Sequence, residues 1–267
     1  MTTSLDPVVA ERLAESRAVF TCDLGATDLA LLGHVRMRPI AVVTGVSVYR
    51  LGWAPDLGTV PGEQRELSRA GYEARMNALE RLVQEAVSLG ADGVLGVHLA
   101  ARPHGVDPDH WEFVASGTAV GATDEPGWAR RPDGSPFTSH LGVRDLYQLV
   151  LSGWVPVAYT IGTCVDHVAP PGSSPTREAV EGVAAGMPVA NVEMTSWTRG
   201  RHAARELAMT RMTYEAERVG GTGVLGVSVE VSGWGWGPAT VEFCAAGTTV
   251  RAQSRASGFD PGVVVAL

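Results

Sequence analysis

The sequence predicts an α+β protein built from two repeats of one small unit, each with the element order α-β-α-β-β. Three observations lead to this class. A glycine-rich pentapeptide occurs twice, the residues around it recur at the same spacing, and helical and strand patterns follow the same order in both halves. This order favours a mainly antiparallel sheet packed on one long helix.

The pentapeptide GVLGV at Gly93–Val97 recurs at Gly223–Val227, 130 residues later. A spacing of 117 residues relates the earlier part of each repeat, where Phe20-Thr21 matches Phe137-Thr138. The longer spacing pairs Arg75 with Arg205, Glu85 with Glu215, Gly90 with Gly220 and Glu112 with Glu242. Repeat 2 is therefore about thirteen residues longer, with the extra residues between 170 and 197, and the chain is a tandem duplication.

The first elements of each repeat are a short helix and a strand. The helices, predicted over 28–35 and 145–152, each end near a glycine, at Gly33 and Gly153. The segments that follow are rich in Val, Ile, Thr and Tyr, which is typical of strands. These strands are predicted over 39–49 and 156–165.

A long helix comes next, over 67–89 in repeat 1 and 201–219 in repeat 2. Alanine and larger apolar residues recur there at the helical spacing. Gly90 and Gly220 follow, where a left-handed residue commonly ends a helix. Two strands complete each repeat, over 93–101 and 111–121, and over 223–231 and 241–251. One helix on three strands leaves sheet edges uncovered, which favours oligomerisation.

The predicted boundaries follow from the repeat. They give an N-terminal helical extension at 1–19, repeat 1 at 20–123, a linker at 124–136, repeat 2 at 137–253 and a tail at 254–267. The linker contains Pro, Gly and charged residues, including Arg130-Arg131, and is expected to be exposed. The tail ends in VVVAL, which is expected to dock on a domain or on a neighbouring subunit.

Composition excludes several classes of function. The 267 residues are 45% hydrophobic and 19% charged, with a formal net charge of −8, so a nucleic-acid partner is not expected. No apolar run approaches the roughly 20 residues that span a bilayer, so a membrane partner is not expected either. The three cysteines, Cys22, Cys164 and Cys244, lie far apart without metal-ligand spacing. A reducing cytoplasm is the simplest location for such a chain.

Three stretches resemble the YbjQ-like family, whose name refers to heavy-metal binding. They are the FTS segment at Phe137, the LGADGVLGV segment at Leu89 and the FVASGTAV segment at Phe113. The resemblance covers nearly all of both repeats. It implies a dodecin-subunit-like fold and assembly into pentameric rings through the sheets. The tandem arrangement departs from that pattern, and five chains could form two stacked rings or join rings into a closed particle.

A metal site has one local candidate, the loop that contains His104, Asp107, Asp109 and His110. Asp-Pro-Asp is also ordinary turn chemistry, and turn formation is the favoured interpretation. No histidine or cysteine of one repeat is matched by the same residue in the other. The corresponding loop of repeat 2 has Trp234 and Trp236, which are candidates for burial or for partner contact.

An arginine and a glutamate recur at matched positions of the two repeats, Arg75 with Arg205 and Glu112 with Glu242. A structural role within the repeat is favoured, and the alternative is that they bridge subunits or line a ring cavity. No nucleophile, acid-base pair or phosphate-binding loop recurs, so neither an enzyme nor a cofactor is expected. We therefore expect a non-enzymatic homo-oligomer that acts as a scaffold, container or partner-binding module. The alternative is a metal- or small-ligand-binding protein with its site at a subunit interface.

Overall fold

The computed structural model describes residues 19–52, 62–104, 109–124, 129–167, 193, 195–233 and 239–253. Within this part of the chain, four helices and two four-stranded sheets confirm the predicted α+β class. No helix in the described part is long and apolar enough to cross a membrane.

Repeat 1 contains two helices and three long strands in the predicted order. Its elements are α1 (Ala26–His34), β1 (Met37–Arg50), β2 (Gly62–Glu63), α2 (Arg65–Ser88), β3 (Gly93–Pro103) and β4 (His110–Ala122). Repeat 2 contains β5 (Phe137–Thr138), α3 (Val143–Leu151), β6 (Trp154–His167), α4 (Thr195–Arg218), β7 (Gly223–Ser232) and β8 (Thr240–Ala252). Helix α4 begins before the predicted residue 201. The sequence showed no sign of this earlier start, because Thr195 to Gly200 is polar apart from Trp197 and has no apolar periodicity.

Each sheet contains a fourth strand that comes from the other repeat. The strand orders are β1-β4-β3-β5 and β2-β6-β8-β7. Strand β5 pairs in parallel with β3, and β2 pairs antiparallel with β6. The three-stranded sheet expected from the sequence is therefore incomplete. A two-residue strand is too short to show a periodic pattern. The sequence therefore did not predict β2 and β5, which are strands because they pair with β6 and β3.

The long helix of each repeat crosses the first strand at a glycine. A Cβ atom built on Gly45 would lie 2.0 Å from the Ala78 carbonyl oxygen. A Cβ on Gly162 would lie 2.1 Å from the Ala208 carbonyl oxygen. The closest approach of helix and sheet is thus the same in both repeats, and it requires a residue without a side chain.

The apolar core of repeat 1 continues into repeat 2. Around α2, buried Leu79 and Leu82 share one cluster with Ile161 and Cys244 of the second sheet. A second cluster joins the short helices α1 and α3 around Phe137. The two repeats therefore share apolar clusters and do not have separate cores.

The linker is more integrated than its composition predicted. Ala129 is fully buried, and the Arg130 side chain donates from Nε to Asp92 Oδ1 at 2.6 Å. Arg130 also donates to the Ala91 carbonyl oxygen. The prediction of an exposed linker is wrong at Ala129, and the Arg130 side chain is 33% exposed, because Asp92 between α2 and β3 supplies a buried carboxylate that this arginine pairs with.

Candidate assembly interface

A buried ion pair lies at the centre of the contact between the repeats. The guanidinium of Arg75, on α2, donates from Nη1 and Nη2 to the two carboxylate oxygens of Glu242, on β8, at 2.8 and 2.7 Å. The two side chains are 6% and 1% exposed. Arg75 also lies over the Phe113 ring, 5.3 Å from its centroid, and donates to the Gly71 carbonyl oxygen. This bidentate geometry satisfies both charges away from water.

The electrostatics of this pair are strongly coupled. Burial disfavours the Arg75 cation and is the largest single effect on its pKa, but the attraction and hydrogen bonds to the Glu242 carboxylate, together with Cys244 and Glu230, raise that pKa overall. Burial raises the pKa of the neighbouring Cys244 thiol to about 11, although Arg75 lowers it. Burial likewise raises the pKa of the Cys164 thiol to about 12. These two thiols are protonated at neutral pH, which is typical of structural cysteines.

Hydrogen bonds fix the N-terminal end of α2 against the second sheet. The Val165 N–H donates to Ser68 Oγ at 2.8 Å, and the Thr163 hydroxyl donates to the Ser68 carbonyl oxygen at 2.9 Å. The Gln64 N–H donates to the Val165 carbonyl oxygen. Helix α2 therefore packs on β6 and β8 through both polar and apolar contacts, on the face of the sheet opposite to α4.

The segment Phe137–Leu141 forms the second part of the contact. It runs along the free edge of β3, and four backbone hydrogen bonds join them. These are Phe137 N–H to Asp92 O, Ser139 N–H to Val94 O, Val97 N–H to Ser139 O, and Gly96 N–H to Leu141 O, at 2.9 to 3.2 Å. The Phe137 ring lies directly over Gly93, where a Cβ would be 2.0 Å from a ring carbon.

The equivalent surfaces of the other repeat, on β7 and at Phe20, are exposed. Leu95 and Val97 of β3 are 1% and 4% exposed, whereas Leu225 and Val227, their counterparts on β7, are 43% and 42% exposed. The counterpart of Phe137 is Phe20, which is 55% exposed. One repeat thus lends its segment to the other, and the reciprocal contact is not made within the chain's described residues.

The retained charges divide in the same way. Arg205 lies on the exposed surface of α4 and pairs with its neighbour Glu206. Glu112 pairs with Arg102, whose side chain is 66% exposed. Arg75 and Glu242 are therefore an inter-repeat pair, while the equivalent Arg205 and Glu112 each pair within their own repeat among the residues that the structure describes.

The candidate metal loop is only partly described. The His104 N–H donates to the His110 carbonyl oxygen at 2.8 Å, so these two residues face each other across the β3–β4 hairpin. Asp107, like Trp234 and Trp236, lies outside the described residues. Within the described part, no three of His, Cys, Asp and Glu come together in a way that would hold a metal ion.

Comparison with known proteins identifies the family of this chain. A family model with the description "Putative heavy-metal-binding" matches residues 38–123 and 176–253, one stretch in each repeat. The chain belongs to this YbjQ-like family. The two matches agree with the tandem duplication, and the family's description concerns the family rather than any group of residues in this chain.

Two kinds of relative are similar to this YbjQ-like chain. An encapsulin nanocompartment protein of Mycobacterium tuberculosis is 44% identical over 264 residues, which cover 99% of this chain and 98% of the relative. A UPF0145 protein of Sulfurisphaera tokodaii is 33% identical over 102 residues, 36% of this chain and 88% of the relative. A UPF0145 protein of Methanococcus vannielii is 41% identical over 61 residues, 23% of this chain and 56% of the relative.

Sequence reasoning singled out the charges but missed the exchanged segment. The Phe-Thr match at residues 20 and 137 marked the start of each repeat, and nothing local indicated that it pairs with a β-edge of the other repeat. Its signal was an apolar residue ahead of a helix in both repeats, outside the elements that had been predicted.

Proposed function

We propose that this chain is a non-enzymatic structural protein that assembles with itself into a closed, container-type particle. The observation that carries the proposal is the unequal burial of equivalent surfaces. The β3 edge is covered within the chain, whereas the equivalent β7 edge exposes Leu225, Val227 and Val231. An exposed apolar edge strand is a template for pairing with another chain.

The container part of the proposal is supported by the relative that the chain matches along almost its whole length. That relative's name describes an encapsulin nanocompartment protein. The cytoplasmic location and the five-fold ring stay predictions. A container needs no catalytic group, and the two buried thiols with raised pKa values are consistent with that role.

The test is the mass and shape of the untagged protein at micromolar concentration. Native mass spectrometry should give one discrete oligomer, and negative-stain electron microscopy should give closed particles of uniform diameter. A single chain in solution would refute self-assembly. A discrete but compact oligomer without an interior would refute the container and leave self-assembly in place.

A metal-binding role has one supporting observation, the backbone pairing that places His104 opposite His110. Metal content of protein purified without a histidine tag decides it, together with thermal unfolding in added Zn²⁺, Cu²⁺ or Ni²⁺. A metal site there requires a stabilisation that the His104→Ala/His110→Ala variant abolishes. Equal melting temperatures for both proteins in each metal would exclude it.

A further inference from the structure

We propose that repeat 2 of one chain receives repeat 1 of a neighbouring chain through the same contact that joins the two repeats within the chain. The inference rests on the proposed self-assembly and names the surfaces that perform it. The acceptor is the β7 edge with the groove beside it, and the donor is the segment Phe20–Leu24 together with α1. The occupant is therefore a second copy of this chain.

The backbone of the β7 edge is arranged as in β3. Gly96 and Gly226 have the same left-handed backbone, with a φ of +61° at each, so the irregularity that exposes the donors of β3 is present in β7. The contact within the chain then gives the expected hydrogen bonds between chains. They are Phe20 N–H to Thr222 O, Cys22 N–H to Val224 O, Val227 N–H to Cys22 O, and Gly226 N–H to Leu24 O.

A groove of about 620 Å³ lies next to this edge in repeat 2. Its walls include Leu149, Trp154, Leu225 and Val250. The corresponding residues of repeat 1 are Leu32, Met37, Leu95 and Val120, which form a buried cluster with Phe137 and Leu146 of repeat 2. The counterparts of those two occupants are Phe20 and Leu29. The groove of repeat 2 therefore has the same kind of lining as the site in repeat 1 that holds Phe137 and Leu146, but no equivalent pair of side chains occupies it among the described residues.

The donor segment is already held in the binding conformation. The Val42 N–H donates to Thr21 Oγ1 at 3.2 Å, as the Tyr159 N–H donates to Thr138 Oγ1 at 2.9 Å in repeat 2. The Thr118 hydroxyl donates to Asp23, which anchors the segment to its own sheet. Because one side of the segment is fixed, docking of its other side has a small ordering cost.

Charge supports the same contact. Within the chain, α2 places Arg75 on Glu242 of the sheet that it covers. The equivalent contact between chains places Arg205 of α4 on Glu112 of the neighbour's β4. In the single chain both side chains are held in local pairs, with Glu206 and Arg102, whose own side chains are 67% and 66% exposed and can give way to a new partner on assembly.

This contact also constrains the assembly. It is head-to-tail, so repetition closes a ring or continues as a filament. Each chain contributes two adjacent repeats, and a ring closed by this contact alone holds an even number of repeats. Five chains in one ring would therefore bring twice that number of repeats, in place of two stacked rings with one repeat type each.

The sharpest test is a methyl group at Gly223. Among the described residues of the single chain, a Cβ there meets only Val250 Cγ2, at the ordinary contact distance of 3.6 Å, so Gly223→Ala should fold normally. In the assembly it would meet the neighbour's Phe20 ring, as a Cβ on Gly93 would meet Phe137. We expect Gly223→Ala and Phe20→Asp each to lower the oligomeric fraction at micromolar concentration at least about tenfold.

Matched controls lie on surfaces outside the contact. Gly233→Ala adds a methyl group just beyond β7, where no atom of the described residues lies within 4 Å. Val87→Glu changes an exposed apolar residue of α2 to the residue that repeat 2 has at that position, Glu217. Both controls should keep the mass of the wild-type oligomer by native mass spectrometry.

A charge reversal provides a test that a folding defect cannot imitate. Arg205→Glu and Glu112→Arg should each weaken assembly, and the double variant should recover it. A wild-type oligomer that all these variants leave intact would overturn this contact while the proposed function stands, and the groove would then have another occupant, such as the chain's own tail. A monomeric wild type would overturn both.

Discussion

At the scale of single residues, the two repeats place the same side chains in different surroundings. Arg75 and Glu242 form a buried pair 167 positions apart in sequence, whereas Arg205 and Glu112 pair with residues of their own repeat. The difference lies in the contacts and not in the local sequence, since all four positions are matched between the repeats. Energetic consequences should differ in the same way.

Removing one partner of the buried pair should destabilise the chain strongly. Arg75→Ala and Glu242→Ala should each lower the free energy of unfolding by about 3–5 kcal/mol, because the remaining charge is buried without its partner. Arg102→Ala removes the arginine of the Glu112 pair and should cost less than either of these changes, because the Arg102 side chain is 66% exposed and water can replace it at the carboxylate. Urea unfolding measures all three. Equal costs for Arg75→Ala and Arg102→Ala would contradict the assignment.

His140 should make stability depend on pH. Burial lowers the pKa of its imidazole, which is hydrogen-bonded to the Thr248 hydroxyl at 2.7 Å. The unfolded chain, with a pKa near 6.5, takes up the proton first. The free energy of unfolding should therefore fall as the pH drops from about 6.5 through the lower folded pKa.

The control for His140 is supplied by repeat 1, where the equivalent Asp23 accepts a hydrogen bond from Thr118 at 2.6 Å. His140→Asp should retain a partner for Thr248 and lose this contribution near pH 6. The measurement is urea unfolding of both proteins from pH 5 to pH 8. Parallel pH profiles would show that His140 is not the group responsible.

At the scale of elements, the helix–sheet crossing is the most demanding feature. Repeat 1 has Gly45 beneath Ala78, and repeat 2 has Gly162 beneath Ala208. One turn further along each helix, an arginine donates a hydrogen bond to the first long strand of its own repeat. Arg81 donates to the Val46 carbonyl oxygen, and Arg211 donates to the Thr163 carbonyl oxygen. The two crossings therefore share their packing and this arginine hydrogen bond, although Arg211 also pairs with Glu63 at 2.6 Å.

Gly45→Ala and Gly162→Ala should each lower the free energy of unfolding by at least about 2 kcal/mol. The added methyl group would overlap helix backbone atoms, which cannot move without displacing the whole helix. Gly33→Ala, near the end of α1, has no neighbouring atom within 4 Å in the part of the chain that the structure describes and should be neutral or slightly stabilising. Thermal unfolding of the three variants decides the point, and a tolerated alanine at residue 45 would mean that the helix lies farther from the strand.

At the scale of the whole molecule, the repeats form an asymmetric pair with one contact made and its equivalent unmade. Phe137 fills a site on repeat 1, while Phe20 and the groove around Leu225 remain exposed. This asymmetry links stability to assembly, since a partner that binds only the folded chain stabilises it by mass action.

The melting temperature should therefore rise with protein concentration in the wild type. Differential scanning calorimetry across a hundredfold range of concentration measures this. The Gly223→Ala variant should melt at one temperature over the same range, because the contact that couples folding to assembly is blocked. A concentration-independent wild type would contradict the coupling.

Local sequence patterns were enough to establish the duplication, the fold class and the order of the long elements. Apolar spacing and glycine positions are local properties, so the helix ending at Ser88 and the strands on either side of it were predicted within a few residues. The sequence also identified Arg75, Arg205, Glu112 and Glu242 as one set of matched charges. It did not indicate which of them pair.

Only the tertiary structure decided that pairing, the exchange of β2 and β5 between the sheets, and the burial of Ala129 in the linker. The physical reason is the range of the interactions. A two-residue strand or a buried ion pair depends on a partner that lies far away along the chain, and no local pattern encodes which copy of a duplicated partner is near. The duplication makes that choice ambiguous in the sequence, and the fold resolves it.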